Sequence, residues 1–156
     1  MQIDQSELEY VGFWARTWAS VIDSILTMFL VIPLILIVAG PSYFGDTRFV
    51  KGGFGFLAEW ILPAVAILAF WIARGATPGK MAISARIVDS SSGQAASTGQ
   101  LVGRYLAYYL STIPLLLGFI WVAFDRKKQG WHDKLAGTVV VRPKKRGTEP
   151  VRFDQV

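Results

Sequence analysis

The chain contains no cysteine. That excludes disulfides, thiolate nucleophiles and every metal site built on Cys. It contains a single histidine, His132, so a His-based metal centre is not expected either. Charge is scarce: 17% of the 156 residues are charged while 53% are hydrophobic. So few charges do not cover a soluble surface, and the apolar excess rules out disorder, collagen-like repeats and long coiled coils. Also missing are a P-loop, a dinucleotide fingerprint, a nucleophile elbow and any metal-ligand spacing. Neither an enzymatic activity nor a cofactor is expected from such a sequence.

Long apolar runs are what the chain has instead. Its mean hydropathy is +0.41, and an integral membrane protein is the expected class. The first run, from about Phe13 to Ala39, is interrupted by Arg16 and Asp23. At ~1.5 Å per residue it covers ~40 Å, enough to cross a ~30 Å hydrocarbon core with tilt. Pro33 should kink it, and Gly40-Pro41-Ser42 ends it. A second run, from about Phe54 to Ala73, is also long enough to span, with Trp60 and Trp71 towards its ends like interfacial aromatics. A third, Leu101 to Phe124, carries Arg104 near its start and is cut by Ser111-Thr112-Ile113-Pro114. Halves of ~10–13 residues suit a re-entrant or interfacial segment.

The fold class read from this pattern is an all-α integral membrane protein, with two transmembrane helices plus a broken or re-entrant third apolar segment. Arg74 to Lys80 reads as a tight turn, and short strand patterns at Ile83–Val88 and Thr138–Arg142 suggest a small cytoplasmic hairpin-like pairing. Residues 1–12 read as an N-terminal cytoplasmic segment, 13–143 as the membrane domain and 144–156 as a polar tail.

Lys and Arg outnumber Asp and Glu by 16 to 11, a net charge of +5. In so apolar a chain the surplus points to anionic lipid rather than nucleic acid. Most of the basic residues lie between Arg74 and Arg104 or after Phe124. A full third span would put these two regions on opposite sides; a run that enters and returns keeps both inside. The positive-inside tendency and the strand pairing favour the second arrangement, with both termini cytoplasmic. The acidic opening MQIDQSELEY lacks the basic region of a signal peptide, so the first helix is expected to direct insertion.

Asp23 is the most informative residue. Counted along the first helix it falls ~15 Å in, near the membrane centre, where an unpaired carboxylate costs ~2.5–3.5 kcal/mol on insertion scales. At 100° per residue Arg16, Ser20, Asp23 and Thr27 share an arc of about 60°, with Trp14 and Trp18 on the opposite face. Arg16 and Asp23 are two turns apart and each needs a partner elsewhere. Arg104, which shares a face with Tyr108 and Ser111, is a candidate for Asp23; Asp125 and Asp133 are candidates for Arg16. Buried pairs of this kind also serve simply to fix helix register. Glu59 can reach the outer surface, Arg126-Lys127-Lys128 reads as a lipid anchor, and His132 reads as a residue that holds its turn.

These residues, in this order, resemble the RDD family of bacterial membrane proteins, named for one arginine and two aspartates. The resemblance runs through Arg16, Asp23, Thr77-Pro78-Gly79-Lys80, Arg104 and His132-Asp133-Lys134-Leu135-Ala136-Gly137-Thr138, covering about residues 10 to 143. It maps the arginine to Arg16, the first aspartate to Asp23 and the second to Asp133, with Asp125 as the alternative. It implies a multi-pass protein of the bacterial inner membrane, of a family described as involved in transport of unknown ligands. Some members are proposed to exchange monovalent cations for protons.

Two functions are therefore expected in competition. In the first, Asp23 binds a monovalent cation or a proton, Ser20 and Thr27 add oxygen ligands, and Arg16 or Arg104 tunes the carboxylate. Two spans and a re-entrant piece are too few to enclose a pathway, so this reading requires a homo-oligomer or a membrane partner. In the second, the chain is a non-enzymatic scaffold or partner subunit whose buried charges serve assembly.

Overall fold

The computed structural model describes residues 7–49, 51–114 and 116–144. The expectations for the first six residues and for nearly all of the polar tail lie outside the described residues. Helix α1, Phe13–Ala39, has 27 residues, about 40 Å at the α-helical rise. It runs unbroken through Pro33 and stops at Gly40, whose φ of 74° ends the helical geometry. A 3-10 turn, Pro41–Gly45, follows. Helix α2 is Gly52–Arg74, 23 residues, and both helices are long and apolar enough to cross a membrane.

Pro63 leaves its mark on α2. Proline carries no N–H and crowds the preceding turn, and just ahead of it Leu57–Ile61 widens into a π-turn in which Leu62 N–H donates to Leu57 O. The helix ends at Gly75, in the left-handed region at φ 66°, whose N–H caps Trp71 O at 2.8 Å. On both helices large apolar side chains point outward: Trp14 is 74% exposed and Trp18 64%. Helices apolar on the outside need lipid or another apolar partner there.

Beyond α2 the chain forms α3, Pro78–Ala82, with proline at its first position, where the missing N–H costs nothing. Strand β2, Arg86–Asp89, follows. Helix α4, Thr98–Thr112, opens on a capping box: Ser97 Oγ accepts from Gln100 N–H, and Gln100 Oε1 accepts from Ser97 N–H. The second half of the third apolar run is α5, Leu117–Ala123, bent 114° away from α4. Helix α6, Trp131–Leu135, and strand β3, Thr138–Pro143, complete the described fold.

The expected strand pairing is present: β2 runs antiparallel to β3, with Val88 opposite Val139. A third strand joins it. Strand β1, Leu8–Tyr10, pairs with the other edge of β3, giving the order β1-β3-β2. The fold is therefore mainly helical with a three-stranded sheet, not all-α with a hairpin. The predicted strand Ile83–Val88 starts late because Ile83 and Ser84, the latter at φ 56°, still belong to the turn out of α3. The predicted tight turn at Arg74–Lys80 holds the start of α3.

This sheet has a topological consequence. It gathers the lead into α1, the segment ahead of α4 and the segment after α6. The third apolar run thus begins and ends at the same end of the helix pair. Val11, Trp71, Ala85, Ile87, Leu101 and Val140 form the core at that end. At the other end Ile35 of α1 packs on Ala58 of α2 and Tyr43.

Candidate functional site

Two carboxylates organise the sheet end. Asp133 lies in the first turn of α6, where its Oδ2 accepts Gly130 N–H at 2.9 Å and caps the helix. It is 0% exposed. Arg16 reaches it from α1, Nη1 to Oδ2 at 2.5 Å, and Arg104 from α4 donates to Oδ1. The arginines are themselves tied down. Arg16 donates to Val11 O at 2.9 Å and Lys128 O at 2.6 Å. Arg104, 1% exposed, donates to Thr138 Oγ1 at 2.8 Å and lies over the rings of Trp71 and Tyr108. Burial alone would raise the Asp133 carboxyl, but the charges of Arg104 and Arg16 outweigh it and hold the group well below the usual carboxylate range. This carboxylate is a clamp joining α1, α4 and α6.

His132 lies beside the clamp. Its Nδ1 is 3.3 Å from Ser111 Oγ and its Nε2 3.4 Å from Asp133 Oδ2, with Tyr108 and Phe119 against the ring. Burial pushes the imidazole down to about 3; Asp133 pulls it up while Arg104, Arg16 and Lys80 push it down further. Ser111, His132 and Asp133 have the residue types of a hydrolase triad, yet all three are buried and Ser111 Oγ donates to Ala107 O. An acyl-transfer nucleophile must reach its substrate, so this arrangement is read as packing.

Asp23 has different neighbours. Its Oδ2 accepts the Thr77 hydroxyl at 2.5 Å and its Oδ1 accepts Gly79 N–H at 2.6 Å. Both donors belong to the start of α3, where N–H groups have no partner within the helix. Gly79 is required there: a Cβ would fall 2.0 Å from Ala19 O and 2.8 Å from Asp23 Cγ. One expectation changes here. Arg104 does not meet Asp23 but is committed to Asp133. Along the molecule the acid lies level with residues just past the end of α2 at Arg74. Of the two candidates for Arg16, Asp133 is the partner, while Asp125 pairs with Lys134, Nζ to Oδ1 at 2.5 Å.

Between their two ends α1 and α2 enclose a cleft of about 620 Å³. Ser20, Asp23, Thr27, Thr77, Lys80 and Tyr108 line it together with apolar residues of both helices. Thr27 Oγ1 donates to Asp23 O of its own helix at 2.8 Å. Lys80 is 8% exposed, and its Nζ lies 3.5 Å from Thr77 Oγ1 and 5.8 Å from the centre of the Trp71 ring. Burial lowers its pKa; Tyr108 and Asp23 act in the opposite sense.

Of the sequence candidates, the structure brings Arg16, Arg104 and Asp133 to one point and Ser20, Asp23 and Thr27 to the cleft, and leaves Asp125 apart. Sequence reasoning gave Thr77, Gly79 and Lys80 no partner. The signal was available: an acid inside a helix needs donors, and a Thr-Pro-Gly start offers a hydroxyl and a free N–H two residues later.

The family model described as RDD family matches residues 10–137. The chain belongs to the RDD family. Among bacterial relatives, it is 33% identical over 146 residues to "Uncharacterized protein YxaI" of Bacillus subtilis, covering 83% of this chain and 95% of that protein. To "Uncharacterized membrane protein YteJ" of the same organism it is 30% identical over 144 residues, 86% of this chain and 82% of that protein. To "Uncharacterized protein RP437" of Rickettsia prowazekii it is 39% identical over 75 residues, 48% of this chain and 41% of that protein, so this RDD chain spans about two fifths of that relative. No solved structure matches. The RDD family membership, the two long apolar helices and the relative named as a membrane protein together make this a membrane protein.

Proposed function

We propose that this RDD chain is a transporter of the bacterial inner membrane whose ligand is taken at Asp23. The observation that carries the reading is the cleft between α1 and α2, with Asp23 and Lys80 facing it as opposite charges. Asp133 is the wrong group for the task, because two guanidinium groups and a backbone N–H already satisfy it. Asp23 is held by neutral donors, which position a carboxylate without neutralising it. A monovalent cation and a proton compete for it in the exchange reading, with Ser20 and Thr27 as further oxygen donors.

The third apolar run enters the bilayer and returns, which places the sheet, the basic residues and both chain ends in the cytoplasm against anionic lipid. The exposed apolar faces of α1 and α2 pack against lipid and a second copy, because one chain cannot enclose a pathway. The test is proteoliposomes carrying an internal pH dye, challenged with Na⁺, K⁺ or Li⁺ outside. A cation-driven pH change that disappears in Asp23→Asn is the expected result. Silence from the wild-type protein in sealed vesicles, or normal flux in Asp23→Asn, overturns the reading. The competing scaffold reading draws on the Asp133 clamp and predicts no flux but loss of assembly on breaking the clamp.

A further inference from the structure

The cleft is amphipathic along its length. At the sheet end its wall carries Asp23, Thr77, Lys80 and Tyr108; towards the other end it carries Leu30, Val31, Leu62 and Ala66. From Asp23 to Val31 is about 12 Å along α1. Such a cleft, polar at one end and apolar over the rest, does not suit a hydrated ion, which would leave most of the wall in contact with water. It suits a molecule with a charged head and an alkyl tail.

The polar end specifies the head. Lys80 is an ammonium with three donors, more than nine-tenths buried, and among the described residues its one hydrogen bond is the long one to Thr77 Oγ1 at 3.5 Å. A buried ammonium with donors to spare calls for an anionic oxygen. Asp23 uses one position on each oxygen for Thr77 and Gly79, and a carboxylate accepts about four bonds. The remaining positions call for N–H donors. Opposite charges at one end of an apolar cleft match a head that carries both signs.

We propose that the α1–α2 cleft binds a zwitterionic aminophospholipid, its primary ammonium on Asp23, its phosphate on Lys80 and one acyl chain along Leu30, Val31, Leu62 and Ala66. A wholly anionic head meets Asp23 with like charge, and a quaternary ammonium head offers Asp23 no N–H. The lipid enters sideways from the bilayer, because both walls belong to helices whose outer faces are apolar. The proposal rests on the reading that Asp23 is the ligand-facing group but puts a lipid ammonium there in place of the small cation, and its binding is measured without flux.

The experiment is native mass spectrometry of the full-length protein in detergent, offered equal amounts of phosphatidylethanolamine, phosphatidylcholine and phosphatidylglycerol. The expected result is preferential retention of phosphatidylethanolamine, by about ten-fold over phosphatidylglycerol for a charge-assisted bond gained against one lost. Asp23→Asn erases that preference, and Ala66→Trp, which fills the tail region and leaves both charges in place, lowers retention of phosphatidylethanolamine. Far-UV circular dichroism of each variant checks folding, and Ala66→Trp stands as the test if Asp23→Asn does not fold. Equal retention of the three lipids, a preference for phosphatidylglycerol, or a preference unchanged in the folded variants overturns the proposal. Lipid preference without flux removes transport and keeps the binding site; flux without lipid preference does the reverse.

Discussion

Asp23 and Asp133 are both acids at the sheet end of the molecule, and their surroundings could hardly be less alike. Asp133 is sealed and accepts from two arginines and a helix N-terminus. Asp23 borders a cleft and accepts from a hydroxyl and an amide. A carboxylate between fixed cations is committed to one state, since removing its charge strands both partners in a medium that does not solvate them. A carboxylate held by neutral donors keeps its charge available to a third party. The two aspartates thus divide into a buried joint between α1, α4 and α6 and a group that borders the cleft.

That division is open to test by stability. Asp133→Asn leaves Arg16 and Arg104 without their anion, and a broken buried pair costs ~3–5 kcal/mol. Asp23→Asn keeps an oxygen for Thr77 or Gly79 and should cost ~1 kcal/mol, the order of one hydrogen bond. Denaturation in detergent, followed by circular dichroism, measures both. Equal losses would remove the distinction between the two acids.

The next effect is smaller and depends on pH. His132 is pushed down to about 3 in the folded protein, against ~6.5 in an unfolded chain. Between those values the unfolded state binds the extra proton, so stability is full above about pH 6.5 and falls as pH drops towards 3, by at most ~1.4 kcal/mol per unit. His132 is the one histidine of the chain, so untagged protein isolates its effect. The melting temperature should fall between pH 6.5 and 4.5 in the wild type and stay level in His132→Phe. A slope common to both would assign it elsewhere.

The smallest effect belongs to the outlying acid. Asp125 pairs with Lys134, a half-exposed side chain. Such pairs contribute ~0.2–1 kcal/mol, so Lys134→Ala should shift the melting temperature slightly, and less still in high salt. A loss as large as that of Asp133→Asn would place Asp125 within the clamp.

Much of the fold was legible in the chain. The uninterrupted apolar stretch from Phe13 to Ala39 and its shorter counterpart ending at Arg74 have lengths that bilayer thickness selects, and Ser111-Thr112-Ile113-Pro114 marks where α4 stops. Strand β1 was not legible, because Leu8–Tyr10 is too short to show a period and exists only by pairing with β3. The site was half legible. Helical arithmetic placed Arg16, Ser20, Asp23 and Thr27 on one face, and Asp133 was among the named partners of Arg16. The exchange of partners between Arg104, Asp133, Asp23 and Thr77 was hidden, since every one of those contacts joins segments distant in sequence.

The sequence alone determined the membrane class, the two helices long and apolar enough to span, the break in the third run and the identity of the charged residues, because these follow from composition and spacing along one dimension. Only the tertiary structure decided which charge faces which. By closing β1, β3 and β2 into one sheet it brought the start of α1, the start of α4 and α6 to a single end of the molecule. There the distance and burial of each partner, which no spacing encodes, made one aspartate a joint and left the other facing a cleft.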